Sequence, residues 1–178
     1  LGGCATHWPE TALLNPQVIP SNQQYYSGNR ITMEGVDKRE AAYVFSIKKK
    51  EKAPVLVNSS QPLNNLLAEK LAEGLRSQGL EVGNSGTTNL TLAISTAAVT
   101  VEEKTFTYVT KSKVSLQVIA DFQGNRLTKQ FNMSSSKEEP GEPTMADLES
   151  TLNQQLGSVL QQIMADEALR GYLKGQPS

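Results

Sequence analysis

Two leucine stripes at helical spacing flank a long run of alternating residues, and this order of patterns leaves few folds open. Leu63, Leu66, Leu67, Leu71 and Leu75 recur at three- and four-residue steps, which puts them on one face of a helix. Leu148, Leu152, Leu156, Val159, Leu160 and Ile163 form a second stripe. Between them, residues 89–101, 106–122 and 126–134 alternate apolar and polar side chains, the period of a half-buried strand. Gln123-Gly124-Asn125 has hairpin-turn chemistry, because glycine and asparagine tolerate positive φ. Further strands are predicted at 30–37, 42–47 and 54–58, with a short one at Leu80-Glu81-Val82. Strands, helix, strands, helix in that order predict an α+β fold: a two-layer sandwich in which two long helices cover one face of a largely antiparallel or mixed sheet. The other sheet face is then the wetter one.

Local signals sharpen these boundaries. Ser59-Ser60-Gln61-Pro62 reads as a helix start with a serine cap, and Gly79 as its stop. Thr144 with Asp147 three residues on is a capping-box variant in front of the second stripe. The stretch 134–143, which carries Lys137, Glu138, Glu139 and Glu142, reads as a solvated loop. The 178 residues suit one core, expected over 30–174, with a tether over 1–29 and a tail over 175–178.

The tether expectation rests on composition. His7-Trp8-Pro9, Asn15-Pro16, Ile19-Pro20-Ser21-Asn22-Gln23-Gln24 and Ser27-Gly28-Asn29 lack periodicity and are rich in proline, asparagine and glutamine. Such a segment need not fold, and fully extended it would span roughly 80 Å. Trp8, Tyr25 and Tyr26 fit either contact with lipid headgroups or, more ordinarily, packing against the domain.

Only one cysteine and one histidine occur, Cys4 and His7, so the chain cannot close a disulfide within itself, and a zinc site would have to rely on carboxylates. Ser-His-Asp and Cys-His catalysis would have to pass through His7, on the tether. Ser-x-x-Lys occurs at Ser46 with Lys49 and at Ser134 with Lys137, without a Lys-Thr-Gly partner, and reads as chance. Glu102 and Glu103 are adjacent, so in a strand they face opposite ways and cannot serve as a glycosidase pair. Asn-x-Ser/Thr sequons at Asn58, Asn89 and Asn132 also read as chance in a chain rich in serine and threonine. No catalytic or metal residue and no cofactor is expected. A net charge of −1 gives no field toward nucleic acid. The run Lys48-Lys49-Lys50-Glu51-Lys52 reads as a solvated hairpin loop, with lipid headgroups or acidic glycan as the sharper alternative. Tyr43, Phe106 and Tyr108 are either an exposed patch or, as strand aromatics usually are, core.

Leu1-Gly2-Gly3-Cys4 resembles a lipobox, the signal at which bacterial lipoproteins are diacylated on cysteine and cleaved before it. On that reading Leu1-Gly2-Gly3 leave the mature protein, and the basic and apolar parts of the signal peptide precede the chain. An ordinary free thiol is the plain alternative. Taken with the tether, Val36-Asp37-Lys38-Arg39, the Leu-Asn-Asn-Leu-Leu-Ala-Glu-Lys-Leu-Ala-Glu-Gly-Leu-Arg-Ser-Gln-Gly-Leu-Glu-Val stretch over 63–82, the Gly124-Asn125 turn with Thr128-Lys129 and the closing helix, the chain resembles the YajG-type family of Gram-negative outer-membrane lipoproteins. The resemblance implies diacylglycerol and an N-acyl chain on Cys4 and a domain in the periplasm. Ala5 after the cysteine, where inner-membrane lipoproteins often carry aspartate, implies the outer membrane. It implies no catalytic residues. The expected function is therefore non-catalytic binding or scaffolding, with a membrane contact through the anchor and a protein or peptidoglycan partner. The alternatives are a carboxylate-dependent hydrolase of peptidoglycan or lipid, and a small-ligand carrier.

Overall fold

The computed structural model describes residues 7–175. Its spine is β6 (Thr88–Glu103), a sixteen-residue strand that pairs along its whole length with β7 (Tyr108–Phe122), which pairs in turn with β8 (Asn125–Glu139). The opposite edge of β6 is shared by two short strands, both parallel to it. β2 (Arg30–Asp37) takes the 88–94 half and β3 (Tyr43–Lys48) the 99–102 part. Between them β6 bulges at Ile94/Thr96, and the loop 38–42 stands opposite the bulge. The Arg39 guanidinium staples that loop, donating to both Asp37 carboxylate oxygens at 2.9 and 2.8 Å. Beyond β2 lies β5 (Glu81–Gly83), and beyond β3 lie β4 (Val55–Ser59) and β1 (Thr11–Ala12). The result is a mixed eight-stranded sheet curled into a half-barrel.

Two long helices, α1 (Leu63–Ser77) and α2 (Met145–Ala165), cover one face, as the stripes predict. Leu67, Leu71, Leu152, Leu156, Val159 and Leu160 are fully buried against Leu92, Ile94, Val99, Leu116 and Val118. Thr144 and Asp147 form the expected capping box on α2. A third helix, α3 (Glu167–Lys174), follows after the chain straightens at Asp166, whose carboxylate caps it by accepting from the Leu169 N–H at 2.8 Å.

Three expectations change, and the expected mixed sheet takes a definite form. The serine cap is not formed: α1 begins after Pro62, Ser59 ends β4, and the Ser60 N–H is taken by the Ala12 carbonyl at 2.8 Å. The sheet's meander is antiparallel, but β2 and β3 join β6 in parallel, a pairing that alternation along one strand does not encode. The stretch 134–139 is not a loop, because β8 continues through it, paired with β7 down to Tyr108↔Glu139. An edge strand needs ladder partners on one side only, so a side-chain run of serines and charges does not prevent it. Finally, the N-terminal segment is irregular but is no free spacer. Trp8, Ala12, Leu14 and Tyr26 are buried in the core cluster, and residues 13–26 lie as a strap across the helices.

The strap is held by one face of α2. Asn153 Oδ1 accepts from the Asn15 N–H at 2.8 Å, and Gln161 Oε1 from the Ile19 N–H at 3.0 Å. Gly157, midway between them at four-residue steps, lets the strap backbone close in: a Cβ there would stand 2.5 Å from the Gln17 carbonyl oxygen. Further along, Ser77 Oγ accepts from the Ser21 N–H at 2.9 Å and the Gln24 side chain donates to the Ser77 carbonyl at 2.9 Å. The helices are thus enclosed between sheet and strap. Gly79, at φ +91°, ends the α1 region where Tyr25 and Tyr26 N–H groups bond the Gln78 carbonyl.

Gly157→Leu should therefore lift the strap without unfolding the sheet. We expect a loss of about 1–3 kcal/mol and faster hydrogen exchange confined to residues 13–21. Unchanged exchange there would show that the strap is not held by this contact. Leu67→Asp and Leu156→Asp, which each bury an unpaired carboxylate, should abolish the folded domain at 37 °C; near-native melting of both would refute the two-layer core.

Candidate functional site

The chemistry-bearing residues do not converge. Cys4 lies outside the described residues, and His7 is exposed. Ser134 and Lys137 sit three apart in β8 and so face opposite sides of the sheet, while Ser46 is in β3 and Lys49 in the following loop, bound to Glu142. Glu102 pairs with Lys104 at 2.6 Å, and Glu103 accepts from the Lys50 N–H at 3.0 Å. Val36-Asp37-Lys38-Arg39 is the stapled turn between β2 and β3, a structural device.

Besides a groove of about 780 Å³ between the strap and α2, lined by Asn15, Gln17, Ser150, Asn153 and Gln154, two surfaces stand open. The first is the sheet face away from the helices. Register places Thr32, Glu34, Asn89, Thr91, Lys111, Lys113, Gln117, Asp121, Arg126, Thr128, Gln130 and Asn132 on it together with Val36, Ala93, Val109 and Ile119, a face of hydroxyls, amides and a few charges interleaved with aliphatic side chains. Its side chains are ordered by one another: Gln130 donates to Ser115 Oγ at 2.5 Å, Ser115 donates to Asn132 Oδ1 at 2.6 Å, and Thr32 bonds Asn89. A groove of about 550 Å³ crosses it between Glu34, Asn89, Asp121 and Arg126. Glu34 and Asp121 are separated by β6 and offset by two residues, roughly 12 Å between Cα atoms, and the Asp121 carboxylate is turned to Arg126 and the Gly124 N–H.

The second surface is the end of the sheet where three loops meet, 49–54, 104–107 and 140–143. Lys49 Nζ reaches both Glu142 oxygens, at 2.9 and 3.0 Å, which ties the β3–β4 loop to the approach of α2. That contact raises the Lys49 pKa, against a smaller opposing effect of burial. Burial, reinforced by Glu103 and Glu142, raises that of Tyr108 beside it. The basic run is thus a hairpin loop as expected, but only partly solvated. Lys50 and Lys52 are exposed; Lys49 is half-buried. The aromatics divide as well. Tyr108 packs against the core, whereas Phe106, at the tip of the β6–β7 hairpin, is 86% exposed.

An α+β domain with a strapped helix layer on one sheet face and a polar open face on the other defines a structural class, and the sequence places the chain within it. Residues 16–174 match the family model described as uncharacterized lipoprotein, and the chain belongs to this YajG-type lipoprotein family. The fold is similar to that of a Xanthomonas campestris protein of the DUF330 family: TM-score 0.65 at 9% identity, covering 94% of this chain and 99% of that one. A putative lipoprotein from Caulobacter crescentus is more distant, with a TM-score of 0.42 at 14% identity over 73% of this chain and 92% of that one. A Helicobacter pylori homologue of a neuraminyllactose-binding hemagglutinin gives 0.48 at 13% identity over 94% of each. No curated protein matches the sequence.

Two of the carboxylates held low by their partners, Asp37 and Asp166, join separate elements of the fold. The Arg39 hydrogen bonds hold the Asp37 carboxyl below its ordinary value. Burial alone would raise Asp166, but bonds from Lys129 and the Leu169 N–H outweigh it and hold that carboxyl low as well. A lowered folded pKa adds stability that is present above the unfolded value, about 4, and is lost as pH falls through the folded one. Asp166→Asn should therefore lower the melting temperature at pH 7 and make progressively less difference toward pH 3. A gap of constant size across that range would exclude the charge as its source. Lys49→Glu should also destabilise, and Lys49→Glu with Glu142→Lys should recover most of the loss; Lys50→Glu should be neutral within about 0.5 kcal/mol.

Proposed function

We propose that the protein is an outer-membrane lipoprotein acylated on Cys4, whose periplasmic domain works without catalysis by presenting its open sheet face to a protein or peptidoglycan partner. The observation that carries this reading is the asymmetry of the two faces. Much of the helix side is covered, by the sheet beneath it and by the strap on Asn153, Gly157 and Gln161, which leaves a groove along α2 beside the strap. The opposite face is broad, hydroxyl- and amide-rich, and pre-ordered by its own hydrogen bonds. Preordering lowers the entropy lost when a partner docks. Membership of a lipoprotein family supports the anchor, and the Leu1-Gly2-Gly3-Cys4 pattern supports its position.

The alternatives have less support. A hydrolase needs two free carboxylates across one reacting bond, and of the pair sharing the open-face groove, Glu34 and Asp121, the second is already engaged by Arg126 and the Gly124 N–H. A small-ligand carrier needs room between helices and sheet, where Leu67, Leu71, Leu116, Leu156 and Val159 fill the space.

Cys4→Ser should release a folded protein into the soluble periplasmic fraction, since the buried strap begins only at Trp8. Retention in the outer membrane after a high-salt wash would show that something other than the acyl chains holds it. Photo-crosslinkers at Lys113 and Thr128 should capture one partner in cells, and one at Glu149 on α2 should not. Capture from Glu149 alone would move the interface to the helix side.

A further inference from the structure

We propose that the loop end of the sheet is a membrane-contact surface, with Phe106 inserted at the headgroup boundary and Lys50 and Lys52 set among the lipid phosphates. The proposal rests on Cys4 being the acylated residue and adds where the domain then stands. Its first support is direction. β1 is parallel to β4, with Thr11 opposite Asn58 and the Glu10 carbonyl accepting from the Asn58 N–H at 3.0 Å. The chain therefore arrives at β1 from the side where β4 starts, at Val55. Val55 pairs with Ile47 and Ile47 with Val101, so this is the end of the sheet that carries the 49–54 loop and the 104–107 hairpin tip. The chain that enters β1 and these loops are thus at the same end of the sheet.

The second support is length. Trp8 is already in the core cluster, and only Ala5, Thr6 and His7 stand between it and Cys4. Four Cα steps reach at most about 14 Å. Three residues before the Thr11–Asn58 pair, Trp8 stands at most at the level of Val55, and hence of Val101. The hairpin runs on from Val101 through Glu103 to its tip, roughly 10 Å further. Reach and protrusion are nearly equal. A cysteine whose acyl chains lie in the bilayer thus brings the tip to the headgroups.

The third support is what stands at the tip. Phe106 is 86% exposed, although the hairpin closes without it through the Lys104 N–H and the Thr107 carbonyl at 2.8 Å. Lys50 and Lys52 are exposed on the neighbouring loop, which Glu103 holds against the hairpin. An apolar ring beside flexible ammonium groups suits an interface that is oily below and anionic above. The surrounding glutamates nearly balance the lysines, so the ring, and not net charge, is the main contact.

The test uses the acylated protein in vesicles of phosphatidylethanolamine and phosphatidylglycerol. With Cys4 acylated, Thr105→Cys supplies the free thiol for an environment-sensitive dye beside the intact Phe106, and Asn125→Cys gives the same at the far hairpin. The dye at 105 should shift to the blue and be quenched severalfold by spin-labelled lipid, both effects being lost with Phe106→Ser, and the dye at 125 should do neither. Aqueous emission at both positions, on protein whose mass shows acyl chains on Cys4, would overturn the contact and leave the anchor standing. A mass without acyl chains would overturn the anchor and the contact that rests on it.

Discussion

The ladder on both edges of β6 is the constraint from which the rest of the architecture follows. A sixteen-residue strand, twisted as strands are, presents more hydrogen-bonding edge than one short neighbour can cover. On one side β7 matches it residue for residue. On the other the chain uses β2 and β3 end to end, with a bulge opposite the junction and the Asp37–Arg39 staple closing the gap. Because β2 and β3 both run parallel to β6, the chain must return once from the end of β3 to the start of β6, and that return passes through β4 toward the edge and places α1 on one face. The position of the strap follows, since β1 fixes where the N-terminal segment enters.

Much of this was legible from periodicity. β2 falls on the predicted 30–37, and the two stripes are the buried faces of α1 and α2, because a fully buried leucine repeat has few other uses. The capping box at Thr144 and Asp147 was legible for the same reason: its chemistry is local. What depended on partners was not. The parallel pairing of β2 and β3 leaves no mark on either strand alone. In 134–139 an edge strand and a solvated loop demand the same exposed polar side chains, so composition pointed the wrong way.

The strap was illegible for a different reason. Its backbone is satisfied by side chains of α2 rather than by a ladder, so it needs no alternation, and proline and asparagine suit it as well as they suit a tether. The signal lay in the helix: Asn153, Gly157 and Gln161 at four-residue steps, amide, no side chain, amide, on the face away from the leucines. Phe106 escaped as well, because an alternating strand that includes an aromatic normally buries it. Only the hairpin geometry puts this one past the last paired residue.

With Cys4 as the proposed anchor, these features would convert a flexible attachment into an oriented one. Extended, 29 residues would let a domain swing tens of ångströms from its bilayer, but from Trp8 onward the segment is packed on the domain. A short leash resists rotation as well as distance. On the membrane contact proposed above, β6 would stand away from the surface with its far end, at Thr88, about 50 Å out. The open face would then be held upright along that length, turned sideways and away from the lipid. A partner would meet a surface already fixed in direction, and the strap that hides the helix layer is the same element that fixes it.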